Sequence, residues 1–337
     1  MKASRPLRLV LAGDVMLGRL AGEAMLREGA DYPLRAVSAL LRGADLAIAN
    51  LECAISEPAE RWQGAPKAFY FRAPPIVGQA LADAGIGLVS LANNHVLDYG
   101  VHGLRDTLRI LGAHGIAHAG AGADLAAALA PAIVERQGMR IGMAAFCDHQ
   151  DDFAAGEHRP GMAWLGLHDA AAAIEAFARA LAPLRAQGVR WTILSLHWGP
   201  NMVTEPSPQQ RRLARAAIDA GWKIVYGHSA HVFQGVELYR GCPILYAAGD
   251  LVDDYQVDAA FRNDHQLLFK LELGDETVER VVMQPLFIRR CRVQMADERQ
   301  REWIFERMGE RCRALGTETR VKDGTLVIEP GPATPPT

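Results

Sequence analysis

At 337 residues with 50% hydrophobic and 22% charged side chains, the chain can bury a large core and fold as one elaborated domain. Its formal net charge of -3 and pI near 6.4 exclude the basic field that nucleic-acid binding requires, so no nucleic-acid partner is expected. Cys53, Cys147, Cys242, Cys291 and Cys312 contain no Cys-x-x-Cys pair, and their odd number excludes a complete disulfide framework; they read as reduced thiols.

The basic start, Met1 to Arg8, imitates a signal peptide, but the apolar run from Leu9 to Gly13 is cut off by Asp14. That run is too short for a secretory core or a membrane span, and no later one approaches a spanning length. A soluble, cytoplasmic protein is the simplest expectation. Leu7 to Ala12 reads as a strand ending in Gly13-Asp14, followed by a helix near Gly18 to Arg27 and another over Pro33 to Arg42. Ala44 to Ala49 is a strand ending in Asn50-Leu-Glu52. Residues 56 to 75, rich in Pro and Gly with Trp62, Phe69, Tyr70 and Phe71, read as a surface loop pinned by aromatic side chains, with a lid or substrate wall as the alternative.

Ile76 to Ala84 is an expected helix, and Ile86 to Ala92 a buried strand running into Asn93-Asn94-His95 with Asp98 three residues on. A helix over Val101 to Ala113, a short strand over Ile116 to Gly122 and a hairpin of Ala132–Glu135 with Met139–Phe146 follow. The Gly120-Ala-Gly122 sequence is a tight turn, since the remaining positions of a phosphate loop are missing. Asp169 to Gln187 is helical with Pro183 expected to kink it or end it early. Trp191 to Leu196 is a strand ending in His197-Trp-Gly199. Ser207 with Gln210, Pro208 and Gly221 mark the limits of the next helix. The strand Lys223 to Tyr226 ends in Gly227-His228 with His231 beyond, and Pro243 to Ala248 runs into Gly249-Asp250. From Leu267 the texture becomes an antiparallel hairpin, followed by a charged amphipathic helix over Asp297 to Leu315 and a proline-rich, frayed end from Glu329.

Strand-helix alternation closed by antiparallel strands predicts an α/β fold in which a mixed sheet, or two sheets face to face, is covered by helices. Asp14, Asn50 with Glu52, Asn93 to His95, His197, His228 with His231, and Asp250 each follow a predicted strand directly. Strand ends on the carboxyl side surround one crevice, so these dispersed residues are expected to converge. Their carboxylates, amide and histidines suit a divalent metal, with manganese, calcium, zinc and iron all compatible.

Gly13-Asp-Val-Met16, Asn50-Leu-Glu52, Ser90-Leu-Ala-Asn-Asn-His95 with Asp98-Tyr-Gly100, Ser195-Leu-His-Trp-Gly199 and Gly227-His228 through His231-Val232 resemble, in order, the motifs of the CapA family of poly-γ-glutamate or capsule-synthesis proteins. The resemblance covers roughly residues 7 to 255. It implies a four-layer α/β/β/α sandwich of the calcineurin-like metallophosphoesterase type, over residues 1–290, with 291–328 as a helix and strand packed on it and 329–337 as a flexible tail.

The resemblance also implies roles. Asp14, Glu52, Asn94, His197, His228 and His231 are the expected metal ligands. His95 is the expected acid/base residue oriented by Asp98. Asn50, Asn93 and Asp250 are expected as hydrogen-bonding partners behind them, while Asp14 and His231 stand as ligands or as acid/base groups. The metallophosphoesterase Asp-x-His opening has Met16 at its histidine position, and a thioether suits a hard cation poorly, so one firmly bound metal is expected rather than a tight pair. The expected substrate is a peptide or polyglutamyl chain, acted on by hydrolysis or transfer. Peptide Cα epimerisation of the lasso-peptide type is the alternative, and a scaffold with a structural metal the third reading. Trp198 and the Trp62 to Phe71 loop hint at an extended or aromatic group held nearby.

Overall fold

The computed structural model describes residues 5–330. Its larger sheet has ten strands. Leu7–Val15, Leu46–Leu51, Ile86–Ser90 and Ala117–Ala119 run parallel side by side. His265–Leu273, Val278–Ile288, Thr325–Ile328 and Arg320–Lys322 extend it as an antiparallel wing from the other edge of Leu7–Val15. The smaller sheet has six strands. Met139–Cys147, Trp191–His197, Ile224–His228 and Cys242–Leu245 are parallel, and Ala132–Arg136 and Val236–Tyr239 close its edges as hairpins.

Period-two alternation decides what each face meets. In the smaller sheet Ile141, Met143 and Ile193 join Leu9, Leu11, Ile48 and Leu88 of the larger sheet in one core. Their neighbours Ala144, Phe146, Leu194 and Leu196 face the opposite way, against Phe177 and Leu181 of helix Ala170–Ala186 and Leu213 and Ile218 of helix Pro208–Ala220. Tyr226 ties the layers together by donating its hydroxyl hydrogen to the Ala12 carbonyl. Helices Ile76–Ala84 and Gly100–Ala113 pack on the larger sheet. The expected four-layer α/β/β/α order is thus observed.

Helix Pro208–Ala220 has both bonds of the Ser207–Gln210 capping box, and Gly221 closes it in the left-handed region. Pro183 neither stops helix Ala170–Ala186 nor sits mid-element. It lies in the last turn, where few residues follow the lost donor. The helix expected over Pro33 to Arg42 shortens to Ser38–Arg42, because the preceding residues form successive turns with i to i+3 bonds such as Val37 to Leu34. Those turns still bury Leu34 and Val37 on the same side.

Helix Glu298–Ala314, capped by Asp297 and Gln300, packs on the antiparallel wing, and Thr325–Ile328 pairs with Val278–Ile288. Most of the expected frayed end lies outside the described residues. Among those residues no helix is long and apolar enough to cross a membrane.

One glycine controls how the strand carrying Asp14 meets its neighbour. A Cβ at Gly13 would stand 2.2 Å from the Gly249 carbonyl oxygen, and the Asp14 amide donates to that oxygen at 2.8 Å. Gly13→Ala is therefore expected to cost about 2–3 kcal/mol by forcing two backbones apart. Urea unfolding would show this as a lowered midpoint, and an unchanged midpoint would contradict the close approach.

Candidate metal centre and acid–base dyad

Register brings the polar residues together. In the larger sheet Asp14 pairs with Asn50 on one side and with Asp250 on the other. In the smaller sheet His197 pairs with His228, each the last residue of its strand. The site therefore lies where the carboxyl ends of two parallel arrays meet. Asp250 corrects one expectation: the preceding strand ends at Leu245, and Asp250 opens the short strand Asp250–Val252. It reaches the site because that strand lies parallel beside Asp14 and Val15.

Asp14, His197 and His228 form one buried group whose donor atoms lie within 4.8 Å of one another, and Asp14, Glu52, His231 and Asp250 form a second. Asp14 belongs to both. His231 Nδ1 is 3.0 Å from Asp250 Oδ1, 3.7 Å from Asp14 Oδ2 and 3.9 Å from Glu52 Oε2. The Nδ1 atoms of His197 and His228 are 2.9 Å apart, and His197 Nε2 lies 2.9 Å from Asn94 Oδ1 and 3.7 Å from Glu52 Oε1. Asn50 donates to Asp14 Oδ1 at 2.8 Å, and Asn93 donates to Asn50 Oδ1 at 3.1 Å and to the Leu51 carbonyl at 2.8 Å. Ser229, held at φ 99°, turns the chain between His228 and His231 and donates its amide hydrogen to Asp14 Oδ2 at 3.1 Å. The Met16 sulfur accepts the Gly18 amide hydrogen at 3.3 Å.

Burial sets the charge states. It pushes the Asp14 carboxyl up to about 6, against the opposing pull of His231 and of the Asn50 and Ser229 hydrogen bonds. Burial also lifts Glu52, Asp250 and Asp253 well above the carboxylate range. It lowers His197 far below its ordinary value and His228 to about 3, so both imidazoles are neutral, the form that ligates metals.

A divalent cation fits this donor set. Glu52 Oε1 and Asp250 Oδ2 are buried acceptors without a hydrogen-bond donor among the described residues. The nearby cations are engaged elsewhere, Lys67 with Asp98 and Arg19 with Asp254. An oxygen- and imidazole-rich cluster lacking compensating positive charge is what such an ion stabilises.

Beside the cluster, His95 Nδ1 and Asp98 Oδ2 are 2.6 Å apart. Phe71 stacks on the His95 ring at 3.9 Å, and its amide donates to Asp98 Oδ2 at 2.7 Å. Burial lowers His95 to about 4, more strongly than Asp98 raises it. Lys67 bonds both Asp98 Oδ1 and the Asn94 carbonyl. Phe71 and Lys67 thus face the His95–Asp98 pair, while the rest of the stretch between 56 and 75 is the expected surface loop pinned by aromatic side chains, Trp62 packing edge-on against Phe153 at 5.0 Å and Phe69 exposed.

Trp198 is the opposite case. It is buried in the second core with its indole donating to the Tyr246 carbonyl at 2.9 Å, away from the site. Several nearby residues escaped the sequence reading: Lys67, Asp253, Tyr255, whose hydroxyl donates to Glu52 Oε2 at 3.3 Å, and His149, whose ring stands edge-on to His197 at 5.6 Å. Tyr255 and Asp253 had one legible signal, their closeness in sequence to Asp250.

Residues 8–255 match the family described as bacterial capsule synthesis protein PGA_cap. A probable polyglutamine synthesis accessory protein of Mycobacterium tuberculosis is 36% identical over 297 residues, spanning 84% of this chain and 76% of that protein. The capsule biosynthesis protein CapA of Bacillus anthracis is 30% identical over 258 residues, spanning 75% of this chain and 61% of its own length. Among solved structures, TT1561 of Thermus thermophilus is similar with a TM-score of 0.41 and 13% identity, covering 78% of this chain and 93% of that one; likeness at this level bears no functional weight. None of these proteins is described as an epimerase, so the epimerisation alternative gains no support.

Proposed function

The chain belongs to the bacterial capsule synthesis protein PGA_cap family, and from that premise we propose that it is a divalent-metal-dependent enzyme acting on a poly-γ-glutamate or peptide-like chain by hydrolysis or transfer. The observation that carries this reading is the convergence of two buried groups that share Asp14, one with His197 and His228 and the other with Glu52, His231 and Asp250, beside the His95–Asp98 pair.

Asp14, Glu52, Asn94, His197, His228 and His231 would hold the ion, with Asn50, Asn93 and Asp250 orienting them. When bound, the cation supplies Lewis-acid polarisation of a carbonyl and lowers the pKa of a ligated water. The remaining chemistry belongs to the chain. Asp98 accepts the Nδ1 hydrogen of His95 and fixes the tautomer, leaving Nε2 free to take up or release a proton. His95 stays neutral down to about pH 4, so this base form is available throughout the physiological range. Phe71 covers one face of the ring and keeps water from it. His231 against Asp250 is a second imidazole–carboxylate pair, able to orient a ligand or to move a proton.

The test is direct. Manganese-loaded protein incubated with a γ-linked glutamate polymer is expected to shorten it, or to transfer its segments to an added amine, as read by size-exclusion chromatography and mass spectrometry. An unchanged polymer under conditions where the metal is demonstrably bound would overturn the reading.

Proton competition gives a further expectation. With Asp14 at about 6, a proton occupies this carboxylate below that pH and must leave before a metal binds. From this group alone, apparent Mn²⁺ affinity should weaken about tenfold per pH unit below 6 and be flat above it. Calorimetric titration at pH 5, 6 and 7 checks this. Equal affinities at pH 5 and pH 7 would remove Asp14 from the donor set.

A further inference from the structure

Asp98 is the point at which the irregular stretch between 56 and 75 meets the site. Its carbonyl accepts the Trp62 amide hydrogen at 2.9 Å, its Oδ2 accepts the Phe71 amide hydrogen at 2.7 Å, and its Oδ1 accepts from the Lys67 ammonium. His95 Nδ1 shares Oδ2 with Phe71. The Asp98 side chain has no exposure and that of Lys67 keeps only 7%, so the ammonium supplies the charge that a carboxylate buried to this degree requires. The same ammonium donates to the Asn94 carbonyl, and the Phe153 ring centroid lies 4.8 Å from it. Its partners are thus groups of the chain itself, which leaves little of it for a substrate.

The turn that Lys67 spans is loosely closed by its own backbone. The Val96 amide reaches the Asn93 carbonyl at 3.4 Å, and the Asp98 amide reaches the His95 carbonyl at 3.3 Å, both at the long end for such bonds. Bonding the Asn94 carbonyl and the Asp98 carboxylate at once, Lys67 braces this turn from outside. We propose that Lys67 is a positioning residue of the acid–base pair, fixing the turn from Asn93 to Asp98 so that Asp98 Oδ2 holds the Nδ1 hydrogen of His95. The proposal rests on the reading of His95 and Asp98 as that pair. Without the ammonium, Oδ1 loses its donor and the carboxylate is free to rotate about its terminal bond, a broad torsion. The segment that presents Lys67 keeps its other ties: Asp152 accepts from the Trp62 indole at 2.8 Å and from the Ala65 amide at 3.2 Å, and Phe71 remains on Asp98. Removal of the charge is therefore expected to loosen the pair and leave the fold in place.

Nitrogen-15 labelling of the eleven histidines in the metal-free full chain at pH 7 reports which ring nitrogen carries the proton, and His95→Gln identifies the His95 signals by their loss. The wild type is expected to show His95 with Nδ1 protonated and Nε2 bare. Lys67→Met is expected to show an average of the two tautomers, with the signals of His265, in the antiparallel wing, in place as a check on the fold. In the metal-loaded protein, kcat for the γ-linked polymer should fall about a hundredfold at unchanged KM, the low end of what a positioned acid–base group contributes. In Lys67→Ala, added n-propylammonium, which replaces the missing end of the stem, is expected to restore the wild-type tautomer and roughly tenfold in rate, whereas 1-propanol is not. This comparison is made within one variant, so it holds even if Lys67→Met does not fold. A wild-type tautomer retained in Lys67→Met overturns the positioning role; with turnover retained as well, the proposed function stands. Equal restoration by 1-propanol also overturns it, reducing Lys67 to a filler of space. If no form turns over the polymer but loss of the ammonium still mixes the His95 tautomers, the function falls and the positioning role stands.

Discussion

Replacing Glu52 with glutamine is expected to abolish metal binding and turnover while leaving the metal-free chain folded. Glu52 is fully buried, and burial pushes its carboxyl well above the usual carboxylate range, towards the neutral form in the metal-free protein. Glutamine matches that neutral form in shape, so metal-free stability should stay within about 1 kcal/mol of wild type. Binding is another matter, since Glu52 is the carboxylate that approaches both His197 and His231. Saturation of the wild type at one hundred times Kd should add about 2.7 kcal/mol of stability, and the variant should gain none. Turnover should fall by more than about a hundredfold, the upper range for groups one step further from a metal. Denaturation with and without Mn²⁺, followed by activity, separates these effects. A variant that still gains stability from the metal would show that Glu52 is not a ligand.

His95→Gln should have the converse profile, with metal retained and chemistry lost. A positioned acid/base group contributes about 10²–10⁴-fold to rate, and a loss in that range is expected at unchanged metal content. The same variant has a stability signature. Burial lowers His95 from its ordinary value near 6.5 to about 4, so between these pH values the unfolded ring binds a proton that the folded ring refuses. The unfolded state then holds more protons, and stability falls as pH drops from 6.5 towards 4, by about 3 kcal/mol from this group. His95→Gln lacks this term, so its urea midpoint should decline less steeply than wild type over that interval. Parallel pH profiles for the two proteins would contradict the buried, neutral imidazole.

The residues that could be read from the sequence are those whose positions strand geometry dictates. Asp14, Asn50, Glu52, His197 and His228 sit at or beside the ends of apolar runs, and parallel pairing must gather such ends along one edge. Trp198 was misplaced for the same geometric reason. His197 ends its strand facing the site, and the next side chain points to the opposite face, where Trp198 joins the second core. Lys67 and His149 lie in irregular segments, where no periodicity says which way a side chain turns. The charge that Asp98 attracts arises only once those segments are folded back on the sheets. Asp250 was found through its neighbourhood rather than its element, since a strand begins there.

The central claim is that one buried cluster holds a divalent cation. Anomalous diffraction from manganese-soaked crystals tests it most directly. The predicted result is a peak bounded by Asp14, Glu52, Asn94, His197, His228 and His231, lost in the Glu52→Gln protein. Density at full manganese occupancy elsewhere on the surface, with these side chains still bonded to one another as in the metal-free chain, would contradict it.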